Sequence, residues 1–352
     1  MGQVARRWAL VAGLLVALVA IPLVLRVLPA DDRSVSAATL RDQVLASADV
    51  GFSGYAVSAG GLSLPVSDDL PVIADLFSDR TSMRVWWRGP EDSRVDVVAP
   101  TGETDVHRDS TGSWTWDYGT TTATRAGLGR FAFPAAADLV PATLGRRLLS
   151  EATDDELTRT AARRIAGIDA LGVRIRPTDD AAAVDRVDIW VDPDTGLPLA
   201  VEIRGGGADS PDTPALDTRF LDFDPVRPPA DVVAFTPPPG ATVRPAPDVD
   251  RLIRSAEQRT GGPELPDTLA GLPRRTADGA PSSIGLYGRG VTLLAVVPID
   301  RNLARSLTRT LADDRASAGP ASLQVVRDRA RGAYLLTGTV TPAALASAAG
   351  QL

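Results

Sequence analysis

The stretch Met83–Asp117, MRVWWRGPEDSRVDVVAPTGETDVHRDSTGSWTWD, decides the fold class. Its segments MRVWWRG (83–89), SRVDVVA (93–99), ETDVHRD (103–109) and GSWTWDY (112–118) each alternate in character. Gly89-Pro90, Pro100-Thr101-Gly102 and Ser110-Thr111-Gly112 separate them. Short alternating runs broken by Gly and Pro about every ten residues mark an antiparallel meander. Side chains alternate between strand faces, so Met83, Val85 and Trp87 share one face. Carried across the turns, the apolar face is expected to include Val95, Val97, Val106, Trp114 and Trp116. Arg84, Arg94, Asp96, Asp105, His107 and Asp117 are expected on a solvated polar face, with Trp86 among them.

Outward from the meander, Ser36 suits an N-cap for a helix through about Ala48, with Leu40, Val44, Leu45 and Ala48 on one side. GFSGYAVSAGGL reads as a strand ending in a Gly turn, and SDDLPVIADLF as a short helix or loop. AAADLVPATLGRRLLSEA (135–152) reads as one or two helices with an apolar stripe of Leu139, Leu144, Leu148 and Leu149. ARRIAGIDALGVRIRP resumes strand character. VDRVDIWVDPDTGLPLAVEIRG is a hairpin, with Pro193, Asp194 and Gly196 supplying the turn. Ile189 and Val191 alternate with Asp188 and Trp190, and Leu199, Val201 and Ile203 answer across the turn. TRFLDFDP is a final strand carrying Phe220 and Phe223.

These elements divide the chain into an N-terminal segment (1–30), a large β domain (36–242), a Pro-rich linker (243–273) and a small α+β domain (274–352). The small domain holds a hairpin, an amphipathic helix (DRNLARSLTRTLADD), two further strands and a closing helix with Pro342 at N1 after Thr341. In the N-terminal segment Arg6 and Arg7 precede an uncharged run from Trp8 to Leu25. As a helix that run spans about 27 Å, near the roughly 30 Å hydrocarbon core. The expectation is a single-pass anchor over residues 8–28, N-terminus cytoplasmic and body outside. Ser36-Ala37-Ala38 offers an alternative cleavage site, which would make the protein secreted.

Composition excludes several functions. There is no Cys, so no disulfide, thiolate nucleophile or Cys-ligated metal exists. Every basic residue is Arg, and the formal charge is −7. Arg6, Arg7 and Arg26 lie in the first 30 residues, so the body is more acidic still. An acidic body repels phosphate backbones, so no nucleic-acid partner is expected. His107 is the only His, which excludes a multi-His metal site. It lies mid-strand with no nucleophile elbow nearby and reads as a surface His. Glu103 and Asp105 share a face, but acids on a solvated strand account for them. No catalytic set, metal site or cofactor is expected. Four of the six Trp fall between residues 86 and 116. They suit a sheet core, a stacking platform or the wall of an apolar pocket, the platform being disfavoured by the charge.

The run SGYAVSAGGLSLP, the meander, and VDIWVDPDTGLPLAVEI together resemble the RseB/MucB sigma-E regulators and the LolA-type lipoprotein carriers. The resemblance is greatest to membrane-tethered relatives in high-GC Gram-positive bacteria and covers roughly residues 36–242. It implies a mainly antiparallel, half-open β-barrel with helices plugging the concave face, plus a small C-terminal α+β domain. It also implies an apolar cavity for acyl chains of lipids or lipoproteins, and a membrane anti-sigma factor as partner. The expected cavity wall is Met83, Val85, Trp87, Val95, Val97, Val106, Trp114, Trp116, Ile189, Val191 and Val201, with Leu139, Leu144 and Leu148 on the plugging helix. The function expected is non-enzymatic binding and regulation. A protein-interaction module that takes no lipid is the alternative.

Overall fold

The computed structural model describes residues 29–60, 80–99, 102–128, 136–206, 214–246, 265–275, 284–299, 301–311, 314–328 and 332–352, with isolated positions before residue 20. The expected SDDLPVIADLF element lies outside the described residues. The first helix, α1 (Ala37–Ala46), is capped by Ser36, whose hydroxyl accepts from Thr39 N. The strand expected before the meander is β1 (Phe52–Gly60); the four expected meander strands are β2 (Thr81–Gly89), β3 (Asp92–Ala99), β4 (Gly102–Asp109) and β5 (Gly112–Asp117), and a further strand not read from the sequence, β6 (Thr122–Gly127), follows. A 3-10 turn at Ala136–Leu139 leads into α2 (Pro141–Ser150), which has Pro141 in its first turn. Then come β7 (Leu157–Ile165), β8 (Ile168–Ile175), β9 (Val184–Val191), β10 (Pro198–Gly205), β11 (Leu216–Asp224), the one-turn α3 (Ala230–Val233) and β12 (Thr242–Pro245).

These strands make one twelve-stranded, unclosed sheet in the order β12-β6-β5-β4-β3-β2-β1-β11-β10-β9-β8-β7. Every pairing is antiparallel except β12 against β6. The architecture is the open half-barrel class read from the sequence. Residues 242–245 join the large sheet rather than standing apart as linker.

The C-terminal part begins with the short hairpin β13 (Thr268–Leu269) and β14 (Leu272–Pro273). A five-stranded sheet follows, from β15 (Gly285–Arg289), β16 (Thr292–Ile299), β17 (Arg315–Ala318), β18 (Ala321–Asp328) and β19 (Gly332–Gly338), ordered β15-β16-β19-β18-β17. It carries α4 (Arg301–Thr310) and α5 (Pro342–Gln351). Ion pairs join it to the large sheet. Arg275 forks onto both oxygens of Glu151 (3.0 and 3.1 Å), and Arg289 onto both oxygens of Glu156 (2.7 and 2.9 Å).

Among the described residues no helix is long and apolar enough to cross a membrane. The single-pass anchor expected over residues 8–28, which falls largely outside the described residues, is therefore corrected.

The TGLPL hairpin shows why its glycine stands where it does. Gly196 has φ 73° and donates its N–H to Asp192 O, and Thr195 Oγ1 donates to Asp192 Oδ2 at 2.6 Å. A Cβ on Gly196 would lie 2.7 Å from Gln43 O of α1. The next apolar residues, Leu197 and Leu199, are wholly buried. Gly196→Ala should therefore cost about 1–3 kcal/mol, from left-handed backbone strain plus displacement of α1. Urea unfolding of the two proteins measures it.

Candidate functional site

Cross-strand pairing sorts the expected wall residues into two groups. One face runs Val85↔Val95↔Val106↔Thr115, with Met83↔Val97 beside it. It continues through Phe52↔Trp87, Ala56↔Met83 and Ala56↔Phe220 to Val201↔Ile189. Met83, Val85, Ile189, Val191 and Val201 are wholly buried, while Val97 and Val106 are half-buried. Leu40 and Val44 of α1 and Leu149 of α2 form one cluster with Val173, Ile189 and Val201. Gly145 permits the approach of α2, since a Cβ there would meet Pro198 Cβ at 2.7 Å.

The stripe of α2 differs from the expected one. The helix begins only at Pro141, so Ala142, Gly145 and Leu149 turn inward at helical spacing. Leu144 and Leu148 are half-buried beside them. Leu139 lies in the preceding turn, buried with Met83, Val85 and Trp87, and its carbonyl accepts from Thr218 Oγ1 at 2.7 Å. Trp87 Nε1 donates to Ala48 O at 3.0 Å. Arg146 of α2 lies 5.9 Å from the Trp87 ring and donates to Ser47 O at 3.1 Å. Burial lowers the Arg146 pKa, so a partly desolvated cation borders the apolar face.

Trp114 and Trp116 do not belong to that face. Trp114 pairs with His107 and Trp116 with Asp105, which places both rings on the side of Trp86, Arg94 and Asp96. The physical reason is turn length. The two-residue connection Ser110-Thr111 pairs even-numbered with odd-numbered residues, so Val106 meets Thr115 and not a Trp.

The second face is not solvated either. After β11 the chain crosses it, and Arg88 Nη1 donates to Pro228 O at 2.5 Å. The Phe235 ring stacks on His107 at 4.8 Å and lies 5.8 Å from Trp114 and 6.2 Å from Trp116. His107 is 5% exposed, and its Nδ1 lies 2.8 Å from Val233 O, so that nitrogen carries the proton and donates. The surface position expected for His107 is corrected: the strap encloses it. Burial, only partly opposed by the Val233 contact, lowers its pKa.

The acids beside it are buried too. Asp96 is 0% and Asp105 2% exposed. Arg94 donates from Nε and Nη2 to the two oxygens of Asp96 (2.6 and 2.8 Å) and from Nη2 to Asp105 Oδ2 (3.0 Å). Tyr118 Oη donates to the same Asp105 oxygen at 3.2 Å. Asp96, Glu103 and Asp105 converge within 4.8 Å, in a grouping that suits a cation. The guanidinium of Arg94 supplies that positive charge. Neither the strap residues Val233 and Phe235 nor Gly145 and Arg146 stood out in the sequence. The one signal was an aromatic residue set among prolines in RPPADVVAFTPPPG.

No protein-family model matches the chain, and no curated protein matches it. Solved structures do. The Pseudomonas aeruginosa MucA/MucB complex matches 88% of this chain and 97% of its own at 16% identity, with a TM-score of 0.50. MucB alone matches 90% and 96% at 15% identity, again at 0.50. The fold is that of MucB. Such coverage extends past the large sheet into the five-stranded one. A LolA superfamily protein from Nitrosomonas europaea covers 57% of this chain and 99% of its own, at a TM-score of 0.26. The MucB structures match the MucB part of the resemblance read from the sequence.

Burial raises Asp105 to about 6, reinforced by Asp96 and opposed by Arg94. A carboxyl whose pKa is higher folded than unfolded holds its proton better in the native state. Its contribution is present at acid pH and lost as pH rises through about 6. Asp105→Asn removes that loss. The stability of the variant relative to the parent should rise by on the order of 1–2 kcal/mol between pH 4 and pH 7. Urea unfolding across that range tests it. His107 works the opposite way: its depressed pKa adds stability above the unfolded value, lost as pH falls, so the parent's net slope is the shallower for it.

Proposed function

We propose that this chain is an extracytoplasmic, non-enzymatic binding protein that accepts acyl chains of lipids or lipoproteins on the apolar face of its large sheet. In this reading occupancy of that face regulates a protein partner of the anti-sigma-factor kind. The observation that carries it is the face itself. An apolar surface from Val95 through Val85 and Phe220 to Ile189 packs with Ala142 and Leu149 of α2 and with Leu40 and Val44 of α1. A short helix held by side-chain packing can be displaced by a ligand of the same chemistry. A dozen buried methylenes gain about 10 kcal/mol gross, of which association removes several. No reactive group is needed. His107, Glu103 and Asp105 serve instead as enclosed or ion-paired structural groups. The partner half of the proposal draws on the MucB fold, since MucB is known in complex with MucA.

The test is native mass spectrometry of the full chain purified in mild conditions, followed by titration of delipidated protein with a fatty acid while tryptophan emission is read. A co-purifying acylated species and saturable quenching support the proposal. Val106→Trp, at a half-buried position of the apolar face, should weaken uptake about tenfold with little change in Tm. Trp114→Ala should leave uptake unchanged, because its ring lies on the opposite face. A protein that takes up no acyl probe yet binds a protein partner selects the interaction-module reading instead.

A further inference from the structure

Helix α4 is divided between two chemistries. Ala304 and Leu307, with Leu311 just beyond, pack against Val325 of β18 and Ala333 of β19. The other side presents Arg301, Arg305 and Arg309, one turn apart, and the helix contains no acid. Arg327 of β18 completes a cavity of about 480 Å³ lined by Asn302, Arg305, Thr308, Arg309 and Arg327. Thr308 Oγ1 donates to Ala304 O at 2.7 Å and accepts from Arg327. Arg305 donates from Nε to Arg301 O and from Nη2 to Asn302 Oδ1, and Arg309 from Nε to Arg305 O. These bonds hold Arg305 and Arg309 against the helix that carries them, where both line the cavity.

The charge balance there is unusual for this protein. Like charges at i and i+4 on a helix oppose folding, and the chain as a whole carries −7. Among the described residues neither Arg305 nor Arg309 makes an ion pair, and Arg327 has Asp314 at 3.5 Å. Among the described residues, three guanidinium groups therefore line one cavity against a single ion-paired carboxylate. Guanidinium forks match the oxygens of a tetrahedral oxyanion bidentately, and the Thr308 hydroxyl lies among them. We propose that this pocket binds a phosphate group, carried either by free inorganic phosphate or by the phosphomonoester headgroup of a lipid. The site is separate from the apolar face and stands whether or not that face takes acyl chains.

The full chain is titrated calorimetrically with inorganic phosphate against chloride at matched ionic strength. It is then sedimented with phosphatidylcholine vesicles containing or lacking phosphatidic acid. Arg305→Glu/Arg309→Glu is compared in both assays; both side chains are exposed, so Tm should be retained, and thermal unfolding checks this. Saturable phosphate binding that the double variant weakens about tenfold or more supports the site. If phosphate binds and the vesicles do not, the ligand is a free phosphate. If phosphatidic acid vesicles alone are bound, and the variant releases them, it is a headgroup. Equal response to chloride, binding unchanged in the variant, or no saturable binding in either assay overturns the proposal.

Discussion

Cross-strand register is the constraint on which the rest of this structure depends. Because side chains alternate with period two, the turn between two strands decides which residues share a face. In the β2–β5 meander the result is a row of Val85, Val95, Val106 and Thr115 on one side. Trp86, Arg94, His107 and Trp114 form the row on the other. A slip of one residue at any turn would drive Arg94 and Asp96 onto the apolar face beside Leu139 and put the valines on the face of His107 and Phe235. The ion cluster resists such a slip, since a charged group without its partner is costly to bury.

The two faces of the large sheet meet different neighbours. On the first, the Leu139 turn and Ala142 of α2 cluster with Phe52 and Phe220, and Leu40, Val44 and Leu149 cluster with Ile189 and Val201. The second is covered by a Pro-rich strap whose contacts are directional. Arg88 reaches Pro228 O, His107 meets Val233 O, and Phe235 stacks among His107, Trp114 and Trp116. Burial of Asp96 and Asp105 is balanced by Arg94, which donates to both. The two covers differ in what they could admit. Apolar packing is non-directional and yields to an apolar ligand, whereas the hydrogen-bonded strap has no such substitute.

The second sheet grips the element that covers the first. Glu151 is the C-cap of α2, and it receives both nitrogens of Arg275, the N–H of Gly290 and, at its carbonyl, Arg289. Cations at a helix C-terminus also meet the negative end of its dipole. Burial pushes Glu156 up, but Arg289 and the Thr153 capping box hold it below the usual carboxylate range. A displacement of α2 across the apolar face would be felt at this contact, which couples the two sheets mechanically.

Much was legible in the residues alone. Alternation and Gly/Pro punctuation determined the strands of the meander, the Asp192–Gly196 hairpin, the Ser36 cap and the β class, because these depend on neighbours in sequence. Composition determined the absence of thiol and multi-His chemistry. The apolar run at the N-terminus was read as a span from hydropathy, whereas no described helix is long and apolar enough to cross a membrane. The polar face misled as well: His107 looked solvated because Val233 and Phe235, which enclose it, come from more than 120 residues downstream, and Asp96 and Asp105 because their burial depends on Arg94 and Tyr118 from neighbouring segments of the sheet. Only tertiary structure could decide that Trp114 and Trp116 back the strap rather than the apolar face, that Gly145 seats α2 on β9 and β10, and that Arg305, Arg309 and Arg327 share one cavity. Each depends on register or on contacts between distant segments, and local periodicity carries no record of either.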